Sequence, residues 1–212
     1  IFRVLPVSTT TMIGYHVDPD VMTYPPRHAF TISTGWDLRN PQRIHANNWG
    51  FANHIDFVAD EDAVALIGNS YVEASMLDPL DRPARRLQTE LADRRPVYGL
   101  GSPGTALIEF PQRVRLAREK FGVRDFVIWA DAGTALQSIC SQGNVHSRCL
   151  DPTTLALRTE HQMPASALKK AARHSALLQY VFAQLKVNFG QLTRAALGHQ
   201  ATQKSTLAAA SA

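Results

Sequence analysis

The chain has 212 residues, 45% of them hydrophobic and 19% charged, which suits one buried core and excludes wholesale disorder. No apolar run reaches the ~20 residues that a membrane-spanning helix needs, so no span is expected. The net charge of +4 is uneven: residues 1–150 carry 15 Lys and Arg against 16 Asp and Glu, residues 151–212 carry 7 against 2. That excess lies along a predicted helix with no nucleic-acid motif, so a solvated face is expected and a nucleic-acid partner is not.

Residues 1–62 are turn-rich, punctuated by Asp18-Pro19, Pro25-Pro26 and Asn40-Pro41. They read as an irregular N-terminal extension with short strands. The α/β domain is expected over 63–200. Ala63–Ile67 is a continuous apolar run, the pattern of a strand buried on both faces. A helix is predicted from about Val72 to Arg94, delayed or kinked by Pro79 and Pro83, with Leu77, Leu80, Leu87 and Leu91 on one face. Arg82, Arg85, Arg86, Arg94 and Arg95 alternate with acids, as on a solvated surface. A second strand is predicted over Pro96–Leu100, then a helix over Leu107–Phe121 with Phe110, Val114 and Phe121 inward, then a third strand over Phe126–Ala130. Strands alternating with helices predict a mainly parallel sheet in a three-layer α/β/α arrangement, flavodoxin-like in type. Residues 135–157 are expected to be a loop holding both cysteines, 164–197 a helix, and 201–212 a flexible tail.

In such a sheet, chemistry sits at the C-terminal strand ends, here Gly68–Ser70, Gly101–Thr105 and Asp131–Thr134. Ser70, just past a buried strand and opening a helix, is placed as a nucleophile beside unpaired N–H groups. The same position suits a plain helix cap. Gly101-Ser102-Pro103-Gly104 lacks the Lys-Ser/Thr of a phosphate loop and the spacing of a dinucleotide site, so neither is expected. Cys140 and Cys149 are the only cysteines. They fit a disulfide in an oxidising compartment or a pair of buried reduced thiols. A metal site from Cys140, His146 and Cys149 would want a fourth ligand, and no metal or organic cofactor is expected.

Asn48-Trp49-Gly50-Phe51, followed by Val64-Ala65-Leu66-Ile67-Gly68-Asn69-Ser70-Tyr71-Val72-Glu73-Ala74, resembles the SGNH/GDSL hydrolase superfamily, in particular its bacterial envelope members. Val97–Thr105 resembles the second block of that family. The resemblance covers roughly residues 45–190 and implies an ester hydrolase or O-acyltransferase that forms an acyl-enzyme on Ser70. Its substrate would be an acyl ester, for example on an acylated envelope glycan, in the bacterial periplasm or cell envelope. The N–H of Ser70 and that of Gly104, with Gly101 as rival, would hold the oxyanion. Asn69 stands where the family has Asp. The third block, Gly-x-Asn-Asp in the family, reads Ala130-Asp131-Ala132-Gly133 here, and the resemblance implies oxyanion or loop support from Asn69 and Gly133. No Asp-x-x-His follows, the last Asp being Asp151. His45, His54 and His146 are the substitute bases considered. The Ile1 start and the Ala/Ser-rich end lead to the expectation of a piece lacking its catalytic His block. The alternative reading is an inactive SGNH-like module that binds a glycan or a protein.

Overall fold

The computed structural model of the protein describes residues 5–9, 11–131, 146–151, 153–161 and 175–185. Two antiparallel hairpins come first: β1 (Gly14–Asp18) with β2 (Val21–Thr23), and β3 (Ala29–Thr34) with β4 (Arg39–His45). The N-terminal stretch is thus more regular than its Pro-rich turns suggest. Tyr24, Phe30, Ile44, Ala46 and Ala52 bury against one another as a small core.

The central element is β5 (Val64–Gly68), buried along its whole length. It lies between β6 (Val97–Gly101) and β7 (Asp125–Ile128), and both pairings are parallel. Its side chains alternate between two cores, as the period of a strand requires. Ala65 and Ile67 pack with Phe110, Leu116, Ala117 and Phe121 of α3 (Phe110–Phe121). Val64 and Leu66 pack on the opposite face with Ala84 and Leu87 of α2 (Pro83–Glu90). Helices therefore cover both faces, and the expected α/β class with a parallel sheet holds. The inward positions Phe110, Val114 and Phe121 also hold.

Three expectations need correction. The single kinked helix over Val72–Arg94 is two elements. The one-turn α1 (Ser70–Glu73) ends where Ala74 turns left-handed at φ 45°, and α2 begins at Pro83, which needs no N–H at the first helical position. Leu77 and Leu80 fall in the turns between them and are exposed, while Leu87 and Leu91 do reach the core. The third strand is less buried than its apolar sequence suggests, with Ile128 54% and Trp129 49% exposed. Among the described residues β7 is an edge strand, so one side lacks a neighbour. The expected 135–157 loop contains strand β8 (His146–Leu150), paired antiparallel with β9 (Leu157–His161). The Asp151 carboxylate builds the turn by accepting from the N–H groups of Thr153 and Thr154.

The predicted C-terminal helix is present as α4 (Ala176–Gln179), which widens into a π-helical turn over Tyr180–Gln184. It is tied to the β3–β4 hairpin. Tyr180 donates to the Trp36 carbonyl at 2.7 Å, and the Gln184 amide donates to the Ser33 carbonyl at 3.1 Å. The rest of the predicted 164–197 helix and the 201–212 tail lie outside the described residues. Among the described residues no helix is long and apolar enough to cross a membrane.

Candidate active site

Ser70 is exposed at the first position of α1, directly beyond the C-terminal end of the central strand. The helix cap is Asn69, not Ser70: its side-chain oxygen accepts from the Tyr71 N–H at 3.0 Å. The Asn69 carbonyl accepts from the N–H groups of Val72 and Glu73 at 3.1 and 3.2 Å. The N–H groups of residues 71–73 are thereby used within the turn. The Ser70 N–H, at the first helical position, has no intrahelical acceptor and is the one the turn leaves available. A capping role for the Ser70 hydroxyl is thus excluded, and among the described residues no side chain hydrogen-bonds it.

The three strand ends converge as expected. A side chain on Gly68 would meet Val72 at 2.4 Å and the Trp129 carbonyl at 3.1 Å. One on Gly101 would lie 2.7 Å from the Glu73 nitrogen and 2.8 Å from the Asn69 carbonyl oxygen. Gly101 is therefore in direct contact with the Ser70 turn. Gly104, at φ 77°, follows Pro103 in the turn closed by the Thr105 N–H on the Ser102 carbonyl. Its glycine character answers to that turn. The loop is pinned from below by Arg113, which is fully buried. Its guanidinium donates to the carbonyls of Leu100 (3.1 Å) and Met22 (3.0 Å) and to the Thr105 hydroxyl (2.7 Å). Burial pulls Arg113 down to about 10, opposed by the nearby Glu109 charge.

Asp131 of the third loop is half-buried, and Gly133 lies outside the described residues. Cys149 is buried and carries no free thiol; Cys140 lies outside the described residues. Among the candidate bases, His45 is exposed. His54 is held at 3.0 Å by the Gln88 amide oxygen, and burial keeps its imidazole below the usual histidine range. The backbone of His146 opens β8 opposite His161. Among the described residues no cluster of His, Cys, Asp and Glu is arranged to hold a metal.

No protein-family model, curated protein or solved structure matches this chain.

Sequence reasoning missed a buried polar cluster directly behind Ser70. Glu73, the last residue of α1, is only 3% exposed, and the Tyr24 hydroxyl lies 2.8 Å from both of its carboxyl oxygens. Burial pushes the Glu73 carboxyl up to about 7, against the opposing hydrogen bonds from Tyr24 and Ser75 and the charges of Arg82 and Arg113. Burial, then the adjacent Glu73, push the Tyr24 hydroxyl far up, so it stays a donor. Arg82, expected on a solvated face, is 8% exposed, and burial lowers its guanidinium. Arg86 is exposed as expected and pairs with Asp81, and the half-buried Arg95 pairs with Asp125. The cavity between Glu73, Arg82, Asn53 and His54 measures about 10 Å³. Ligand pockets run to hundreds of Å³, so this cluster supports the turn and does not receive a substrate.

Proposed function

We propose that this chain is a serine-dependent ester hydrolase or O-acyltransferase of the SGNH type. The observation that carries the reading is the placement of Ser70: exposed, on a tight turn past the central strand of a parallel sheet, with its hydroxyl uncommitted to capping. In the proposed reaction the Ser70 oxygen attacks the carbonyl carbon of an acyl ester. The hydroxyl proton passes to a base, the alcohol leaves with a proton, and water or a second hydroxyl then takes the acyl group from Ser70. The Ser70 N–H is one oxyanion donor. The second comes from the Gly101–Thr105 loop, with Gly104 the family match and Gly101 the residue in contact with the Ser70 turn. The base is a histidine that the described residues do not place beside Ser70. An acylated envelope glycan, a periplasmic or envelope location and a Cys140–Cys149 disulfide complete the proposal.

Labelling with a fluorophosphonate tests it. The full chain is expected to gain one covalent adduct, mapped to Ser70 by peptide mass spectrometry and absent from Ser70→Ala. If Ser70 stays unlabelled in the full chain, the enzyme reading falls and the binding-module reading replaces it.

A further inference from the structure

Four residues do not make a stable helix alone, since nucleation fixes several residues before hydrogen bonds repay it. The position of Ser70 must therefore come from what α1 buries. Two of its side chains point inward, Val72 and Glu73, each 3% exposed. Val72 joins the apolar core with Leu66 and Ala84. Glu73 is the only inward group of α1 that makes a directional contact, and its partner belongs to the N-terminal hairpin region.

That partner is itself held on several sides. The Tyr24 N–H donates to the Gly50 carbonyl at 2.9 Å. Gly50, at φ 76°, passes so close that a side chain there would sit 2.0 Å from the Tyr24 carbonyl oxygen. Asn47 fixes the Gly50 turn, its side-chain oxygen accepting from the N–H groups of Trp49 and Phe51 at 3.0 Å each. The Tyr24 ring lies 4.5 Å from that of Phe30. The segment Asn47–Phe51, an Asn-x-x-Gly-Phe pattern that extends the Asn48-Trp49-Gly50-Phe51 stretch by one residue, thus fixes Tyr24, and Tyr24 fixes Glu73.

We propose that Glu73 is a positioning residue for Ser70, its carboxyl clamped by the Tyr24 hydroxyl so that the N-terminal hairpin region sets the geometry of the nucleophile turn. The meaning of Ser70 as a nucleophile rests on the proposed function; the coupling between Glu73 and the turn does not. The groups facing the carboxyl are the Tyr24 hydroxyl after β2, the Ser75 hydroxyl beyond α1, Arg82 at the start of α2 and Arg113 from α3. His54 borders the same small cavity, and Asp78 faces Arg82. The hydroxyls bond the carboxyl, while the arginines distinguish its charged from its neutral form. Loss of the Glu73 proton therefore changes the pull on α1. Burial places that change near neutral pH.

The test follows the backbone amide resonances of Ser70, Tyr71 and Ala74 in the full chain from about pH 5 to about pH 9. The expected result is one shared inflection near 7 in the wild type. It disappears in Glu73→Gln, which keeps an acceptor for Tyr24. It moves upward in Tyr24→Phe, because the lost hydrogen bond favoured the carboxylate. Resonances of Ser70 and Tyr71 that do not move with pH, or an inflection that survives in Glu73→Gln, overturn the inference. Fluorophosphonate labelling of Tyr24→Phe is expected to slow by roughly 10-fold or more through misplacement of Ser70. A wild type that labels with Tyr24→Phe equally fast also overturns it. A wild type that does not label refutes the esterase reading alone, and the amide titration then decides the inference by itself.

Discussion

Replacing Glu73 by glutamine removes one titrating group and keeps its shape. In the folded chain burial raises this carboxyl from 4.5 to about 7. A raised carboxyl favours the protonated form in the folded state, so between these values the native protein holds a proton that the unfolded chain has lost. The resulting contribution to stability is complete below about 4.5 and is lost as the pH climbs through about 7. At about 1.36 kcal/mol per pH unit the loss is about 3 kcal/mol. For a chain of this size that corresponds to roughly 6–12 °C in Tm. The assay is urea unfolding of wild type and Glu73→Gln at about pH 5 and about pH 8, followed by tryptophan fluorescence. Because part of the loss has already occurred at about pH 5, the wild type is expected to lose roughly 2–3 kcal/mol more than the variant between the two conditions. Other carboxylates cancel in that comparison, including Asp93 and Asp151, which hydrogen bonds hold low. Equal losses in the two proteins, with unchanged m-values, would refute the reasoning, because the carboxyl would then titrate alike in folded and unfolded chains.

Arg113→Met strips the shared donor from the carbonyls of Leu100 and Met22 and from the Thr105 hydroxyl, and leaves Glu109 without its neighbouring cation. It is expected to destabilise by about 3–5 kcal/mol in denaturant unfolding; a change under about 1 kcal/mol would show that these bonds contribute little. Gly101→Ala places a methyl 2.7 Å from the Glu73 nitrogen and 2.8 Å from the Asn69 carbonyl oxygen. It keeps the N–H at 101, yet it is expected to slow Ser70 labelling on the order of 100-fold by displacing α1. Labelling at the wild-type rate would mean that the turn has slack the contacts do not suggest.

The parallel sheet was legible because its strands announce themselves. Ala63–Ile67 is apolar at every position, which only a strand covered on both faces tolerates. Helix α3 was legible from its stripe, Phe110, Val114 and Phe121. That stripe also holds the signal that was overlooked. Arg113 lies three residues after Phe110 and four before Ala117, on the inward face, and a charged residue there must be bonded within the core. Glu73 carries no such signal, because the residue three positions before it is the exposed Ser70. The short α1 was not legible, because the leucines at 77 and 80 mimic a helical period while lying in exposed turns. Nor was the β8–β9 hairpin, which depends on the Asp151 turn and not on a run of β-forming residues. Pairing partners such as Tyr24 and Glu73 are 49 residues apart, and no local pattern reports a contact at that separation.

The Asn-x-x-Gly-Phe segment is where sequence and structure bear on each other most directly. As a motif it contains no group that reaches the Ser70 hydroxyl, so a catalytic role for it has no support. As a structure it explains why each residue type stands where it does. Asn47 gathers two backbone N–H groups that the tight turn would otherwise leave unbonded. Gly50 takes a left-handed conformation and abuts the Tyr24 backbone at a distance that admits no side chain. Phe51 fills the core against Phe57 and lies under the Arg113 guanidinium, 5.6 Å from its ring centre. One end of the segment thus fixes Tyr24, which holds Glu73 and α1. The other supports Arg113, which pins the Gly101–Thr105 loop. Both loops at the proposed oxyanion are therefore braced from the same five residues. The N-terminal stretch that reads as an extension in sequence is, in the folded chain, the scaffold of the Ser70 turn.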